Sequence, residues 1–164
     1  PGFNIYENTR VLPRAFIVGD AQLVPHHADA LDAIHARGFN PAQSVVLETA
    51  DGRPPTPANV PAVSRQPSAV NLMGYGPNEI LLDIHSANDG VLVLSEIYYP
   101  GWRAWVDDRE VLVMRADYLF RAIELSAGTH RVRFVYDPSW FKVGTGLFAA
   151  IAILLMAGLV FTRK

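Results

Sequence analysis

Histidines and carboxylates come first, because they are the side chains that most often bind metals or move protons. His26, His27 and His35 lie close together near the N-terminus. His27 and His35 would stand about 80° apart around a helix, and no carboxylate stands at metal-ligand spacing beside them. We therefore expect a solvated helix face here and predict no metal site.

Carboxylates and serines elsewhere also lack the partners that catalysis requires. Asp107 and Asp108 stand between two apolar segments, a setting typical of a tight turn. Ser95-Glu96 and Ser139 show neither a nucleophile elbow nor a partner base. There is no phosphate-binding loop either. The chain is predicted to carry no catalytic residues and no cofactor.

An aromatic cluster is the strongest candidate for binding, in the segment SEIYYPGWRAWVDDREV at residues 95–111. Strand alternation predicts that Trp102 points inward, while Trp105 points outward together with Arg103. Outward rings could stack on sugars, and nearby arginines could hold an anionic polymer. The carbohydrate-binding candidates are Tyr99, Trp105, Arg103 and Arg121. The alternative is core packing, which we expect for most of the cluster.

The elements that must position this cluster are short strands after residue 67. Seven of them, at roughly 8–12-residue spacing, favour an antiparallel β-sandwich over residues 68–138. Asn88-Asp89-Gly90 predicts a tight hairpin. The predicted strands are Val70–Met73, Ile80–Ser86, Val91–Ile97, Trp102–Val106, Val111–Arg115, Leu119–Leu125 and His130–Tyr136.

Two further units precede the sandwich. Residues 1–50 predict a small α/β cap, with strands at Ala15–Val18 and Ser44–Glu48 around a helix from Ala28 to Arg37. Ala21–Val24 is predicted as a further strand or a continuation of the first. Leu31 and Ile34 should share one face of that helix. Residues 51–67 contain five prolines without periodicity and predict an exposed connector.

A single membrane helix is predicted within residues 139–164. Val143 to Phe161 carries no charge and as a helix would cover roughly 28 Å, close to the hydrocarbon thickness of a bilayer. Trp140, Phe141 and Lys142 precede it, and a short basic tail follows, as is typical of membrane interfaces. The lipid bilayer is therefore an expected partner. Basic residues on both sides leave the orientation open.

Composition excludes several classes of protein. Half of the residues are apolar and only 18% are charged, which argues against long disorder. The net charge of −2 offers no basic face for nucleic acid. The absence of cysteine excludes disulfides and thiol catalysis. Because the sequence starts with Pro1 rather than Met, we expect it to be a piece of a longer protein.

Several motifs occur together in an order that resembles the C-terminal region of the YfhO-like family of bacterial polytopic membrane proteins. They are YENTRVLPRAFIV at the start, LSEIYYPGWRAWVDDREV, RADYLFRAIELSAGTHRVRFVYDP and the apolar helix. Asp108 stands where that family often has Gly, and Asp117 where it often has Asn. Because Asp tolerates left-handed backbone, the hairpin at Asp108 should survive. Asp117 lacks the side-chain amide that Asn would supply at this position.

The resemblance implies a polytopic membrane protein similar to glycosyltransferases of the GT-C type, which use lipid-linked sugars to modify cell-envelope polymers such as teichoic acids. In such enzymes the catalytic acidic residue lies in an early extracytoplasmic loop, so this chain would lack the catalytic region. The resemblance also implies that the sandwich is extracytoplasmic, that the C-terminal tail is cytoplasmic, and that upstream transmembrane helices of the same protein are partners.

Three hypotheses about function remain open at this point. The first is an accessory domain that positions an envelope polymer or a lipid-linked sugar, or stabilises the assembly. The second is a non-enzymatic membrane-anchored module that binds an envelope protein or carbohydrate. The third is a stand-alone sandwich lectin on one membrane anchor.

Overall fold

The protein is mainly β, as the strand pattern predicts. A computed structural model describes residues 3–8, 11–48 and 68–162, with side chains described as far as residue 156. Two sheets, a short helix and a C-terminal apolar helix make up this part of the chain. In chain order the elements are β1 Ala15–Val18, β2 Asp20–Val24, α1 His27–His35, β3 Ser44–Glu48, β4 Ala69–Tyr75, β5 Glu79–Ser86, β6 Gly90–Ile97, β7 Trp102–Val106, β8 Arg109–Val111, β9 Met114–Ala116, β10 Phe120–Leu125, β11 Gly128–Tyr136 and α2 Ser139–Thr162.

The first sheet is a curled half-barrel. Its strands are ordered β1-β6-β10-β9-β3-β2, and only β2 and β3 pair in parallel. β1 and β2 lie at opposite edges of the sheet although Gly19 alone separates them in sequence. The sheet must therefore curl until its two edges meet at Gly19.

The second sheet is antiparallel throughout, in the order β4-β5-β11-β7-β8. Alternate residues of its strands are buried: Ile80, Leu82 and Ile84 of β5, and Val132 and Phe134 of β11. These side chains pack against the outer face of the first sheet and form the core between the two sheets.

Strand β6 is buried on both faces. Leu92 and Leu94 belong to the core between the sheets, whereas Val91 and Val93 face a second core inside the curl. This arrangement explains the continuous apolar run of β6, because a strand with no solvent face shows no alternation.

The N-terminal segment has the predicted β-α-β order, and its strands join the first sheet. β1 pairs with β6, and β3 pairs with β9. Helix α1 packs on the outside of the curl through Ala30, which is fully buried against Val24 and Val46, with Ile34 at the edge of this cluster. Leu31, expected beside Ile34 on the packed face, is exposed, because this short helix contacts the outside of the curled sheet through only a narrow stripe.

Two local predictions are wrong. Asn88-Asp89-Gly90 forms no hairpin: β5 and β6 belong to different sheets, and none of these three residues has a positive φ. Gly90 is required for another reason, because a Cβ there would lie 2.8 Å from the carbonyl oxygen of Val18. The predicted strand Val111–Arg115 is split where the chain crosses from β8 in the second sheet to β9 in the first.

The predicted hairpin at Asp107-Asp108 is confirmed. β7 and β8 pair directly, and the two turn residues have φ values of 48° and 68°. Aspartate is one of the few residues besides glycine that enters this region readily, so the departure from glycine at position 108 leaves the hairpin intact.

The C-terminal apolar helix is also present. Within the described residues, Ser139–Met156 has the length and composition of a membrane span, and it is not buried against the rest of the protein. Trp140 and Phe141 are exposed at its start. The predicted connector at residues 51–67 lies outside the described residues, and the division into 1–50, 51–67, 68–138 and 139–164 stays a prediction.

Gly101 and Gly38 offer a matched test of how the fold depends on backbone conformation. Gly101 (φ 105°) follows Pro100 in a turn, and an added Cβ would lie 3.1 Å from both Pro138 and Tyr136. Gly38 (φ 96°) has nothing within 4 Å. Gly38→Ala should cost only the backbone penalty, about 1 kcal/mol, while Gly101→Ala should cost about 2–3 kcal/mol. Urea unfolding in detergent micelles measures both, and equal losses would show that packing around Gly101 is unimportant.

Candidate functional site

The solvent face of the second sheet carries the candidate site. β7 and β11 pair so that Arg133 lies opposite Trp105, and β11 and β5 pair so that Arg131 lies opposite Asp83. Because neighbours in a strand alternate between faces, these four side chains point away from the buried Phe134 and its core partners. Trp105 therefore points outward, as predicted.

Two guanidinium groups flank the Trp105 ring. The Cζ of Arg103 lies 5.2 Å from the ring centroid and that of Arg133 lies 4.7 Å away, both within cation–π range. Arg103 is held by Glu110, whose two carboxylate oxygens accept hydrogen bonds from its Nε and Nη2 at 2.6 Å. This contact lowers the pKa of Glu110, so the carboxylate stays ionised. The sequence placed Arg103 beside Trp105 correctly, but it gave no sign of Arg133.

An open cleft of about 440 Å³ adjoins Trp105, and we call it the Trp105 cleft. It combines an aromatic ring with acidic side chains, basic side chains and a hydroxyl group. Such a lining can stack on a ring and hydrogen-bond to hydroxyl or anionic groups. Its lining residues are Leu81, Asp83, Trp105, Asp107, Asp108, Thr129, His130, Arg131 and Arg133.

Asp107, His130 and Ser126 lie in the order of a catalytic triad at the edge of this cleft. His130 Nδ1 is 2.7 Å from Asp107, and Nε2 is 3.3 Å from the Ser126 hydroxyl. Nε2 is also 3.2 Å from the Ser126 carbonyl oxygen. The neighbouring backbone N–H of Ala127, where an oxyanion hole would need a donor, donates to Asp89 at 2.7 Å. The arrangement therefore connects two turns and supplies no activated nucleophile.

Arg121, the fourth candidate, does not reach the surface. Its side chain is only 2% exposed and lies over the ring of Trp102, with Cζ 3.8 Å from the centroid. Burial lowers the pKa of Arg121 to about 10, which leaves it cationic at neutral pH. Among the described residues, its Nε and Nη1 have no hydrogen-bond partner. The expected contact between Arg121 and an external polymer is not available in this conformation.

Glu96 balances this buried charge and was not identified from the sequence. A carboxylate oxygen of Glu96 lies 4.0 Å from Arg121. The other oxygen accepts hydrogen bonds from Tyr75 at 2.6 Å and from Arg14. Tyr75 belongs to the second sheet and Glu96 to the first, so the network connects the two sheets at one end of the sandwich.

The remaining candidate, Tyr99, is exposed but lies away from the cleft. Its ring contacts Tyr136 at a centroid distance of 6.3 Å, beside the start of α2. Trp102 is also there, 5.5 Å from Tyr136 and half-buried against the core, which confirms its inward direction. The structure thus brings together Arg103 and Trp105 and separates both from Tyr99 and Arg121.

The N-terminal histidines form no metal site among the described residues. His27 stacks on Tyr118 with ring centroids 3.9 Å apart, and its Nδ1 lies 2.7 Å from Glu48. Arg115 also contacts Glu48, at 3.3 Å. These contacts fasten the start of α1 to the first sheet.

The Asp117 carboxylate accepts a backbone hydrogen bond from β3 that the backbone of a neighbouring strand would otherwise accept. Its Oδ1 accepts a hydrogen bond from the backbone N–H of Val46, and its own N–H donates to the Val46 carbonyl, both at 2.8 Å. Burial raises the pKa of Asp117, and the Val46 hydrogen bond only partly offsets this effect. Only an acceptor oxygen is required here, and the amide of Asn would supply one equally well.

Comparison with known proteins places these features in a family. A family model described as "Bacterial membrane protein YfhO" matches residues 61–148. An uncharacterized protein YfhO from Bacillus subtilis is 23% identical over 92 residues, which cover 56% of this chain. The chain spans 10% of the length of that relative. No solved structure matches the chain.

Replacing Asp117 with Asn should stabilise the protein at neutral pH. A raised pKa means that the neutral carboxyl favours folding below the ordinary aspartate pKa and that this contribution is lost as the pH rises through the folded-state value. Asn keeps the acceptor and removes the charge. Because the group is partly exposed, we expect a gain on the order of 0.5 kcal/mol at pH 7, shrinking towards zero at pH 4.

Asp108→Asn is the matched control, since Asp108 also has a positive φ but is exposed. Because Asp108 is exposed, removing its charge should not stabilise the protein at pH 7. Urea titrations of the parent and both variants at pH 4 and pH 7 measure the effect. A stabilisation by Asp117→Asn that is the same at both pH values would rule out the burial of charge as its cause.

Proposed function

Because this chain belongs to the YfhO family of bacterial membrane proteins, we propose that it forms the extracytoplasmic accessory domain and last membrane helix of a polytopic membrane protein. The parent protein, on this proposal, resembles glycosyltransferases that use lipid-linked sugars to modify cell-envelope polymers. Its catalytic carboxylate would belong to an upstream loop, and this domain would position the polymer. The glycosyltransferase part of the proposal rests on the motif resemblance alone.

One observation carries the proposed contact with a polymer: a tryptophan flanked by two guanidinium groups beside an open cleft. Trp105 offers an apolar ring, and Arg133 lies close enough to hold an anionic group at the same place. The cleft also contains Asp83 and Asp107, which can accept hydrogen bonds from sugar hydroxyls. An anionic polymer with hydroxyl groups, such as a teichoic acid, has the chemistry that this lining would recognise.

A second candidate function is supported by the edge strand β4. This strand pairs with β5 on one side of the second sheet and has a bulge between Leu72 and Gly74. Among the described residues no further strand pairs with β4, and its Leu72, Met73 and Tyr75 are 46%, 63% and 54% exposed. An envelope protein could add a strand or an apolar surface here. The domain would then be a non-enzymatic binding module.

The orientation can be tested with paired topology reporters. Alkaline phosphatase and green fluorescent protein, each fused after Lys164, should report a cytoplasmic C-terminus: fluorescent but without phosphatase activity. The physical reason is the proposed direction of α2, which places the sandwich on the extracytoplasmic side of the membrane and the basic tail in the cytoplasm. Active phosphatase and a dark fluorescent protein would reverse the topology and exclude an extracytoplasmic polymer site.

The polymer contact can be tested with three aromatic substitutions in the full chain. Trp105→Ala should weaken the retention of a glycerol-phosphate polymer about tenfold, since stacking and the orientation of two arginines are lost together. The free energy of unfolding should change by no more than about 1 kcal/mol. Trp102→Ala should instead cost about 3 kcal/mol of stability, because it uncovers Arg121 and opens the core.

Tyr99→Ala is the matched control for that experiment, since Tyr99 is an exposed aromatic outside the cleft. It should leave polymer retention unchanged. Retention that depends on Tyr99 and not on Trp105 would refute the cleft as the binding site. Retention unaffected by either change would favour the alternative function through β4.

A further inference from the structure

The two ends of the sandwich differ in polarity. β6 and β11 end, and β7 and β10 begin, at the end from which α2 emerges, which we call the helix end. Its turns contain the Tyr98–Gly101 and Asp117–Leu119 segments. The opposite end has short polar turns at 87–89, 107–108 and 126–127, which contain three aspartates and a serine.

Three exposed apolar side chains are grouped at the helix end. Ile97, Tyr99 and Leu119 are 67%, 55% and 50% exposed. They are neighbours: the N–H of Tyr98, which lies between the first two, donates to the Leu119 carbonyl at 2.6 Å, and Ile97 lies opposite Phe120 in the sheet. Exposing a group of apolar side chains to water is unfavourable, so we expect a partner to cover these three.

This group is structurally continuous with the candidate membrane helix. Asp137 donates its N–H to the Gly101 carbonyl at 2.8 Å, and Pro138 packs on Gly101. Helix α2 begins at the next residue, so the turn that carries Tyr99 is fastened to the point where the chain would enter the bilayer. Trp140 and Phe141 are 61% and 60% exposed in the first turn of α2 and have the character of interfacial aromatic residues.

Basic groups accompany the apolar ones. Asp137 holds Lys142 at 2.7 Å and lies 3.7 Å from Arg103, so both cations are positioned at the level where the helix starts. Aromatic rings, aliphatic side chains and cations in one layer match the headgroup region of a membrane, where the same mixture of apolar and charged groups is found.

We propose that the helix end of the sandwich sits in the lipid headgroup region, with Ile97, Tyr99 and Leu119 inserted beside Trp140 and Phe141. The occupant of this surface is the bilayer itself, and the observation that selects it is the continuity with α2. The inference goes beyond a membrane anchor, because it fixes the sandwich upright on the membrane through a second contact. It rests on the proposed span, and the experiment separates the two.

The absence of cysteine from the sequence makes single-cysteine labelling straightforward. Ile97→Cys and Leu119→Cys would each be labelled with an environment-sensitive fluorophore in the full chain, reconstituted in vesicles of phosphatidylcholine and phosphatidylglycerol. Both sites are exposed, so the label should not disturb the core. Quenching by lipids that carry a nitroxide near the headgroup then measures contact with the membrane interface.

Three control positions calibrate the result. Asp89→Cys lies at the opposite end of the sandwich, and Leu72→Cys is an exposed apolar site opposite Leu82 in the middle of β5. Leu147→Cys lies within α2 and reports insertion of the helix. We expect labels at 97 and 119 to be quenched several times more strongly than those at 89 and 72, and the label at 147 to be quenched by nitroxides deeper in the acyl chains.

Each of the other outcomes overturns a defined statement. A deeply quenched label at 147 with labels at 97 and 119 no more quenched than that at 89 would refute the headgroup contact and leave the span intact. A label at 147 that is not quenched would refute the span, and unquenched labels at 97 and 119 in the same experiment would refute the contact as well. Equal quenching at 72, 97 and 119 would mean that the sandwich lies on its side, and the upright contact would be wrong.

Discussion

Burial of β6 on both faces is the constraint on which the rest of the structure depends. Alternate residues of this strand fill two separate cores, one inside the curled sheet and one between the sheets. The inner core requires the first sheet to curl. The chain closes the curl at Gly19, because β1 and β2 are consecutive in sequence but lie at opposite edges of the sheet. The N-terminal segment is therefore structurally tied to the sandwich, and Gly90 is required where β6 begins against the backbone of Val18.

Strand positions were largely predictable from the sequence, but strand partners were not. The alternation in β5 and β11 identifies the second sheet, because one of its faces is solvated. Nothing local distinguishes a hairpin at Asn88-Asp89-Gly90 from a crossover between sheets, since the same turn residues serve both. The predicted strand from Val111 to Arg115 likewise hides the point at which the chain changes sheets, because Val111 to Met114 are all apolar.

The candidate site, like the fold, could be predicted from the sequence only in part. Arg103 and Trp105 are two residues apart in one strand, so their common face follows from the sequence. Arg133 joins them only through the pairing of β11 with β7, which no local pattern reveals. The burial of Arg121 was not predicted, because nothing local shows that β10 lies between β6 and β9 in the first sheet. A charge there must be buried, and it is accommodated by the Trp102 ring on one side and Glu96 on the other.

The strand geometry relates the two proposed surfaces to each other. Trp102 lies at the helix end, and Trp105 follows three residues later, about 10 Å along the strand. The Trp105 cleft extends further to Asp107 and His130, about 17 Å from the same end. With the helix end in the headgroup region, the cleft would open sideways just above the membrane surface. That height would keep the cleft in water, where a charged polymer can reach it, yet close to the headgroups that carry a lipid-linked sugar. A single sandwich would thus contact the membrane and the polymer at the same time, without a conformational change.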